Sequence, residues 1–75
     1  MEKISFIVQM PDEPGALHKA AEIAKKYHAN IHRIHYNRKI DVNTVFFDIS
    51  TSYEFYEKIK EELEEIGYLQ LPLNP

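Results

Sequence analysis

The chain has no cysteine, which leaves it neither disulfides nor thiolate metal ligands. It has no apolar run long enough to cross a bilayer, and its start lacks the basic and apolar regions of a signal peptide, so a cytoplasmic address is the expectation. Basic charge is in deficit: nine Lys and Arg stand against twelve Asp and Glu, for a formal net charge of -3. With the acid concentrated in the expected second helix, that balance argues against a nucleic-acid partner and does not suggest a membrane surface. Glycine is scarce as well. The two glycines, Gly15 and Gly67, stand where helices are expected to begin and end. At 75 residues the chain reads as a single domain, 1–75, with no repeats or linkers. A chain of this size buries only roughly 60% of its unfolded surface, so association is expected to help it. It ends abruptly at Leu73-Asn74-Pro75, an ending compatible with excision from a longer chain.

What is present is a clear alternation of periods. Ile4, Phe6 and Val8 alternate with Lys3, Ser5 and Gln9, the pattern of a half-buried strand, with Ile7 as the exception. From about Gly15 to His28, Leu17, Ala20, Ala21, Ala24 and Tyr27 recur at helical steps opposite Lys19, Glu22, Lys25 and Lys26. The stretch from Ala29 to Arg38 is rich in β-branched and aromatic residues, but Ile31 and Ile34 are three apart, which predicts a bulge or strong twist. Asp41-Val42-Asn43 reads as a turn. Thr44 to Ser50 then alternates, with Val45, Phe47 and Ile49 on one face. Thr51 followed by Glu54 fits a capping box, and Tyr56, Ile59, Leu63 and Ile66 form a helical stripe stopped at Gly67. Tyr68 to Leu71 reads as a last strand, which Pro72 confines to an edge. The expected fold is α+β: a ferredoxin-like βαββαβ sandwich, one four-stranded antiparallel sheet with both helices on one face. Ile7 and Phe46 would then lie on the open face.

The run Met10-Pro11-Asp12-Glu13-Pro14-Gly15-Ala16-Leu17 joins the first strand to the first helix. Pro14 suits a first helical turn, and Gly15 removes a side chain that would shield the free N–H groups just beyond it. Such N–H groups can hold a carboxylate, and Asp12 can take the ammonium of the same molecule. The same residues also suit an ordinary capped turn with Asp12 as the cap. If Gly15 has helical dihedrals, a valine there is expected to block a ligand without disturbing the fold.

On Asp12, Pro14, Gly15 and Leu17, then Asn30-Ile31 with Ile34 following, the whole chain resembles an ACT domain, a small regulatory module attached to many enzymes of amino-acid metabolism. The Pro-Gly-Ala-Leu run and Arg38 look most like the ACT domains of prephenate dehydratase and the aromatic amino-acid hydroxylases. Their Glu-Ser-Arg-Pro element would fall on Tyr36-Asn37-Arg38-Lys39, where only Arg38 matches, and a phenylalanine ligand is not carried over. The resemblance implies a free amino acid as partner, with its carboxylate at the backbone of Gly15, Ala16 and Leu17 and its amino group at Asp12 and Asn30. Asn30 equally suits a turn residue before its strand. Asp12 stands where some serine-binding members carry asparagine, a change that favours a cationic group or a divalent ion. The resemblance further implies a homodimer joined through the second strand or helix, with Arg33, His35 and Tyr36 at the seam, and an attached or associated metabolic enzyme.

Other chemistries fit less well. His28, His32 and His35 are close in sequence, but in a regular strand His32 and His35 point to opposite faces, and no metal or other cofactor is expected. An RNA-recognition module of this topology needs basic and aromatic residues on its third strand, which here reads Thr44-Val45-Phe46-Phe47-Asp48. An acylphosphatase-like enzyme needs arginine in the first loop, where this chain has Asp12 and Glu13. No nucleophile with its base and no phosphate-cradling loop is apparent. The reading is therefore a non-catalytic, amino-acid-sensing regulatory domain, with a protein-interaction or RNA-binding module as the alternative and an enzyme behind that.

Overall fold

A computed structural model describes residues 1–38 and 42–71. The elements run β1 (Glu2–Pro11), α1 (Ala16–Lys26), β2 (Asn30–Arg38), β3 (Val42–Thr51), α2 (Tyr53–Glu65) and β4 (Leu69–Leu71). The strands make one sheet in the order β2-β3-β1-β4 with every neighbouring pair antiparallel. Both helices pack on one face. Ile4, Phe6, Val8 and Met10 of β1 meet Val45, Phe47 and Ile49 of β3 there, under Ala16, Ala20 and Ala24 of α1 and Ile59 and Leu63 of α2. The expected βαββαβ sandwich is the fold found.

Several boundaries differ, each for a local reason. Val42 and Asn43 belong to β3 rather than to a turn, because they pair with Pro11 and Met10 across β1; Asp41, Lys39 and Pro72 lie outside the described residues. Thr51 also belongs to β3, opposite Glu2, so the cap of α2 is Ser52, whose hydroxyl accepts the Phe55 N–H at 3.0 Å. Ile66 follows the helix and is exposed rather than part of its buried stripe. The bulge in β2 falls between Ile31 and Arg33. It leaves Ile31 opposite Ile49 and Ile34 opposite Phe47, both on the helix side. It also turns His32 to the open face, where its Nε2 meets Ser50 Oγ at 2.6 Å. His32 and His35 therefore share a face, against the expectation from a regular strand, though no group of three metal-capable side chains gathers among the described residues.

Both helices end in the same backbone motif with different residues at its left-handed position. After α1 the N–H of His28 bonds Lys25 O and that of Ala29 bonds Ala24 O, with His28 at φ 61°. After α2 the N–H of Gly67 bonds Glu64 O and that of Tyr68 bonds Leu63 O, with Gly67 at φ 85°. No described residue crowds a Cβ at Gly67, so Gly67→Ala is expected to cost the conformational term alone, about 1–2 kcal/mol. His28→Gly should gain somewhat less than that, because it also gives up the 5.9 Å contact of the His28 ring with Phe55. Urea unfolding of the two variants is the check, with midpoints moving in opposite directions.

A polar tie joins the helices outside the core. Lys26 Nζ lies 2.9 Å from Glu62 Oε2, and the Tyr27 hydroxyl donates to the same oxygen. The bond from Tyr27, then that from Lys26, holds the Glu62 carboxyl below its ordinary value of 4.5. The same hydrogen bond holds the Tyr27 hydroxyl above its ordinary value of 10.0. A lowered carboxyl contributes stability that is present above its unfolded value and lost as pH falls through its folded one. Thermal melts should therefore show Glu62→Gln less stable than the parent at pH 7, with the difference closing below pH 4.5; a difference that persists at lower pH would mean that the tie contributes nothing through charge.

The helices leave most of β2 uncovered. Apart from Ile31 the strand is exposed along its whole length, and two of its helix-side residues, Ile34 and Tyr36, are 39% and 41% exposed. Its outer backbone edge has no strand beside it among the described residues of one chain. Ile7 and Phe46 lie on the other face as expected; they pair with one another, and Leu71 pairs with Ile7, which extends the apolar row to β4.

Candidate functional site

The loop between β1 and α1 turns on Gly15, which stands just before the helix at φ 82°. Pro14 accordingly lies in the preceding turn rather than in the helix. The turn is closed by Glu13 N–H to Pro11 O at 3.0 Å and Ala16 N–H to Glu13 O at 3.3 Å, and the first helical bond runs from Lys19 N–H to Gly15 O. The N–H groups of Leu17 and His18 precede that first bond and so point out of the helix end with no helical acceptor. No side chain among the described residues caps them, and the first turn carries no acid; Asp12 is not the cap. Valine at Gly15 would meet open space but the wrong backbone conformation, so it tests strain as much as ligand access.

Asp12 is held from below. Asn43, on β3 between Met10 of β1 and Arg38 of β2, donates from Nδ2 to Asp12 Oδ1 at 3.2 Å. Arg38 Nη2 lies 3.8 Å from the same oxygen, with both side chains substantially exposed. The buried hydroxyl of Tyr68 donates to Ala16 O at 3.0 Å and fixes the first residue of the helix; burial, then the nearby Glu13 charge, pushes the Tyr68 hydroxyl above its ordinary value. Asp12, Glu13, Pro14 and Gly15 are exposed, Ala16 is buried and Leu17 half-buried.

Asp12, Pro14, Gly15, Ala16 and Leu17 thus gather at one end of the sheet, together with Arg38. Asn30 does not join them. It begins β2 while Arg38 ends it, so it stands at the far end, roughly 26 Å away at ~3.3 Å per residue. Arg33 and His35 face the open side opposite Asp48 and Phe46, and Tyr36 faces the helix side opposite Val45. Asn43 is the member that sequence reasoning missed. Its signal was the alternation of β3 continued two residues back, which puts a polar residue in line with Val45, Phe47 and Ile49.

The same arrangement of strands and helices occurs in solved proteins. The ACT domain from the GTP pyrophosphokinase of Chlorobium tepidum superposes in its crystal structure with a TM-score of 0.72 at 16% identity, over 92% of this chain and 96% of that one. The chain has the ACT-domain fold. The solution structure of that domain gives 0.64 at 17% identity, over 100% and 92% of the two chains. A formyltetrahydrofolate deformylase from Pseudomonas putida KT2440 gives 0.74 at 10% identity, over 99% of this chain but 29% of that one. No family model and no curated protein matches the sequence. At these identities it is the ACT backbone that is shared, and the side chains at the start of α1 must be argued from this chain alone.

Proposed function

We propose that this ACT-fold domain is a non-catalytic regulatory sensor that binds a free amino acid at an interface between two copies of itself. The observation that carries the reading is the uncapped start of α1, with its left-handed Gly15 and outward N–H groups, set beside the Asp12 carboxylate. A helix N-terminus favours a carboxylate, and a carboxylate favours an ammonium, so the pair complements both charges of one zwitterion. The free edge supports the second half. Antiparallel pairing of two β2 strands about Ile34 sets Asn30 of the second copy opposite Arg38, and so next to the Asp12 loop that Asn30 cannot reach within its own chain. The same pairing covers Ile34 and Tyr36 and puts Arg33, His35 and Tyr36 at the seam.

Neighbours that are parts of enzymes support a module working beside a catalytic partner: one is the ACT domain from a GTP pyrophosphokinase, another a deformylase more than three times as long as the matched region. The partner proposed here is an attached or associated enzyme of amino-acid metabolism, in the cytoplasm. An RNA-binding reading has less to stand on, since Phe46 is flanked by His35 and Ile7 and followed on that face by Asp48. A thermal-shift screen across the twenty amino acids tests the sensor reading. One or a few should raise the melting temperature in a concentration-dependent way; a flat response to all twenty at millimolar concentration contradicts it.

A further inference from the structure

We infer that Asn43 is a ligand-binding residue: its Oδ1, which has no partner among the described residues, and the Asp12 carboxylate form an acceptor pair for a primary ammonium group, and Arg38 is the counter-ion that this ammonium replaces. The inference rests on the reading of the α1 start as an amino-acid seat and adds to it the chemistry of the cationic end.

The orientation of the Asn43 amide follows from its partner. An ionised carboxylate only accepts, so Nδ2 is the atom that faces Asp12 Oδ1. Oδ1 is thereby left as an acceptor, and it has no hydrogen-bond partner among the described residues although Asn43 is 1% exposed. A buried acceptor without a donor costs stability, and an apolar residue of similar shape would continue the β3 pattern without that cost. Asn43 is thus a poor choice for the core and a good one for a donor that arrives from outside.

The donor it suits is compact and multiply protonated. A primary ammonium fans three N–H groups from one atom and can serve a carboxylate and an amide oxygen together. Arg38 meets the pair on one side only, 3.8 Å from Asp12 Oδ1, and its side chain is 71% exposed. An exposed ion pair of that length is weak and exchanges at little cost. A zwitterion with a primary ammonium therefore takes the place of the Arg38 guanidinium at Asp12, while its carboxylate meets the N–H groups of Leu17 and His18. A quaternary ammonium, with no N–H to give, is rejected.

The test titrates ¹⁵N-labelled protein with ethylammonium chloride, with tetramethylammonium chloride at the same ionic strength as the control. The side-chain amide pair of Asn43, identified by its loss in Asn43→Leu, should move with ethylammonium and stay still with the control; an amide pair that ignores ethylammonium overturns the inference. For the amino acid with the largest thermal shift, Asn43→Leu should lose at least about tenfold in affinity while melting, without ligand, at or above the parent temperature. Affinity within twofold of the parent overturns the role. Should Asn43→Leu fail to fold, Arg38→Gln decides: relief of competition should tighten the amino acid severalfold, whereas weaker binding would mean that Arg38 holds the ligand. If ethylammonium moves the amide pair but none of the twenty amino acids raises the melting temperature, the acceptor pair stands and the sensor reading falls. The reverse pattern sinks the acceptor pair and spares the sensor.

Discussion

Alanine at Asp12 is expected to weaken a bound amino acid by roughly ten- to a hundredfold, the loss of a charge-assisted contact of about 1.5–3 kcal/mol. The comparison that gives this number meaning uses three ligands: the amino acid, its decarboxylated amine and its deaminated acid. The amine keeps the ammonium and should suffer with the amino acid. The acid meets only the N–H groups at the start of α1 and should lose little, since Asp12 does not cap that helix. Calorimetric titration of the three against Asp12→Ala separates contact from collapse. Equal loss for all of them would mean that the variant had disturbed the loop, which Asp12 joins to β3 through Asn43, and the proposed pose would have to be abandoned.

Phe47→Ala should be the most damaging single truncation in the core, costing about 3–5 kcal/mol. Phe47 is 1% exposed in the middle of β3, opposite Phe6 on one side and Ile34 on the other. Its ring stacks on that of Phe6 at 5.3 Å and 13° between planes. Little around it can collapse into the space, because the sheet backbone fixes both neighbours. At ~0.05–0.15 kcal/mol per residue a domain this size has roughly 4–11 kcal/mol in all, so the variant should be at the margin of folding at 25 °C. Urea unfolding followed by circular dichroism measures it, and a loss under 1 kcal/mol would contradict the assignment of Phe47 to the centre of the core.

The fold was largely legible because each strand and helix carries its own period. Val45, Phe47 and Ile49 announced a half-buried strand, the spacing of Ile59 and Leu63 announced a helix, and all five are buried where the pattern put them. Even the bulge in β2 showed, as the three-residue step from Ile31 to Ile34. The ends were harder, because pairing partners decide them. Thr51 and Asn43 have the composition of a cap and a turn, but β1 is ten residues long and draws both into the ladder. Gly15 was legible as the place where the helix begins, and its positive φ was not, because Pro14 before it suits either a first turn or the turn that precedes one.

The candidate site was legible in part for a similar reason. Asp12 through Leu17 are adjacent in sequence, and local geometry alone brings them together. Asn43 and Arg38 reach the same place only through the register of three strands, which no local pattern reports. Asn30 shows the opposite case. The resemblance pairs it with Asp12, but it stands at the other end of β2 in one chain, and the proposed pairing of two β2 strands is what would bring them together.

That second copy is the centre of the account, and sedimentation velocity at several protein concentrations, with and without the amino acid selected by the thermal-shift screen, tests it most directly. A ligand held by groups from two chains binds the associated state more tightly than the monomer, so it must tighten the dimer by the same factor by which the dimer tightens the ligand. The prediction is a monomer–dimer equilibrium that the amino acid shifts toward dimer at fixed protein concentration. A monomer at every concentration, with and without the amino acid, would contradict it.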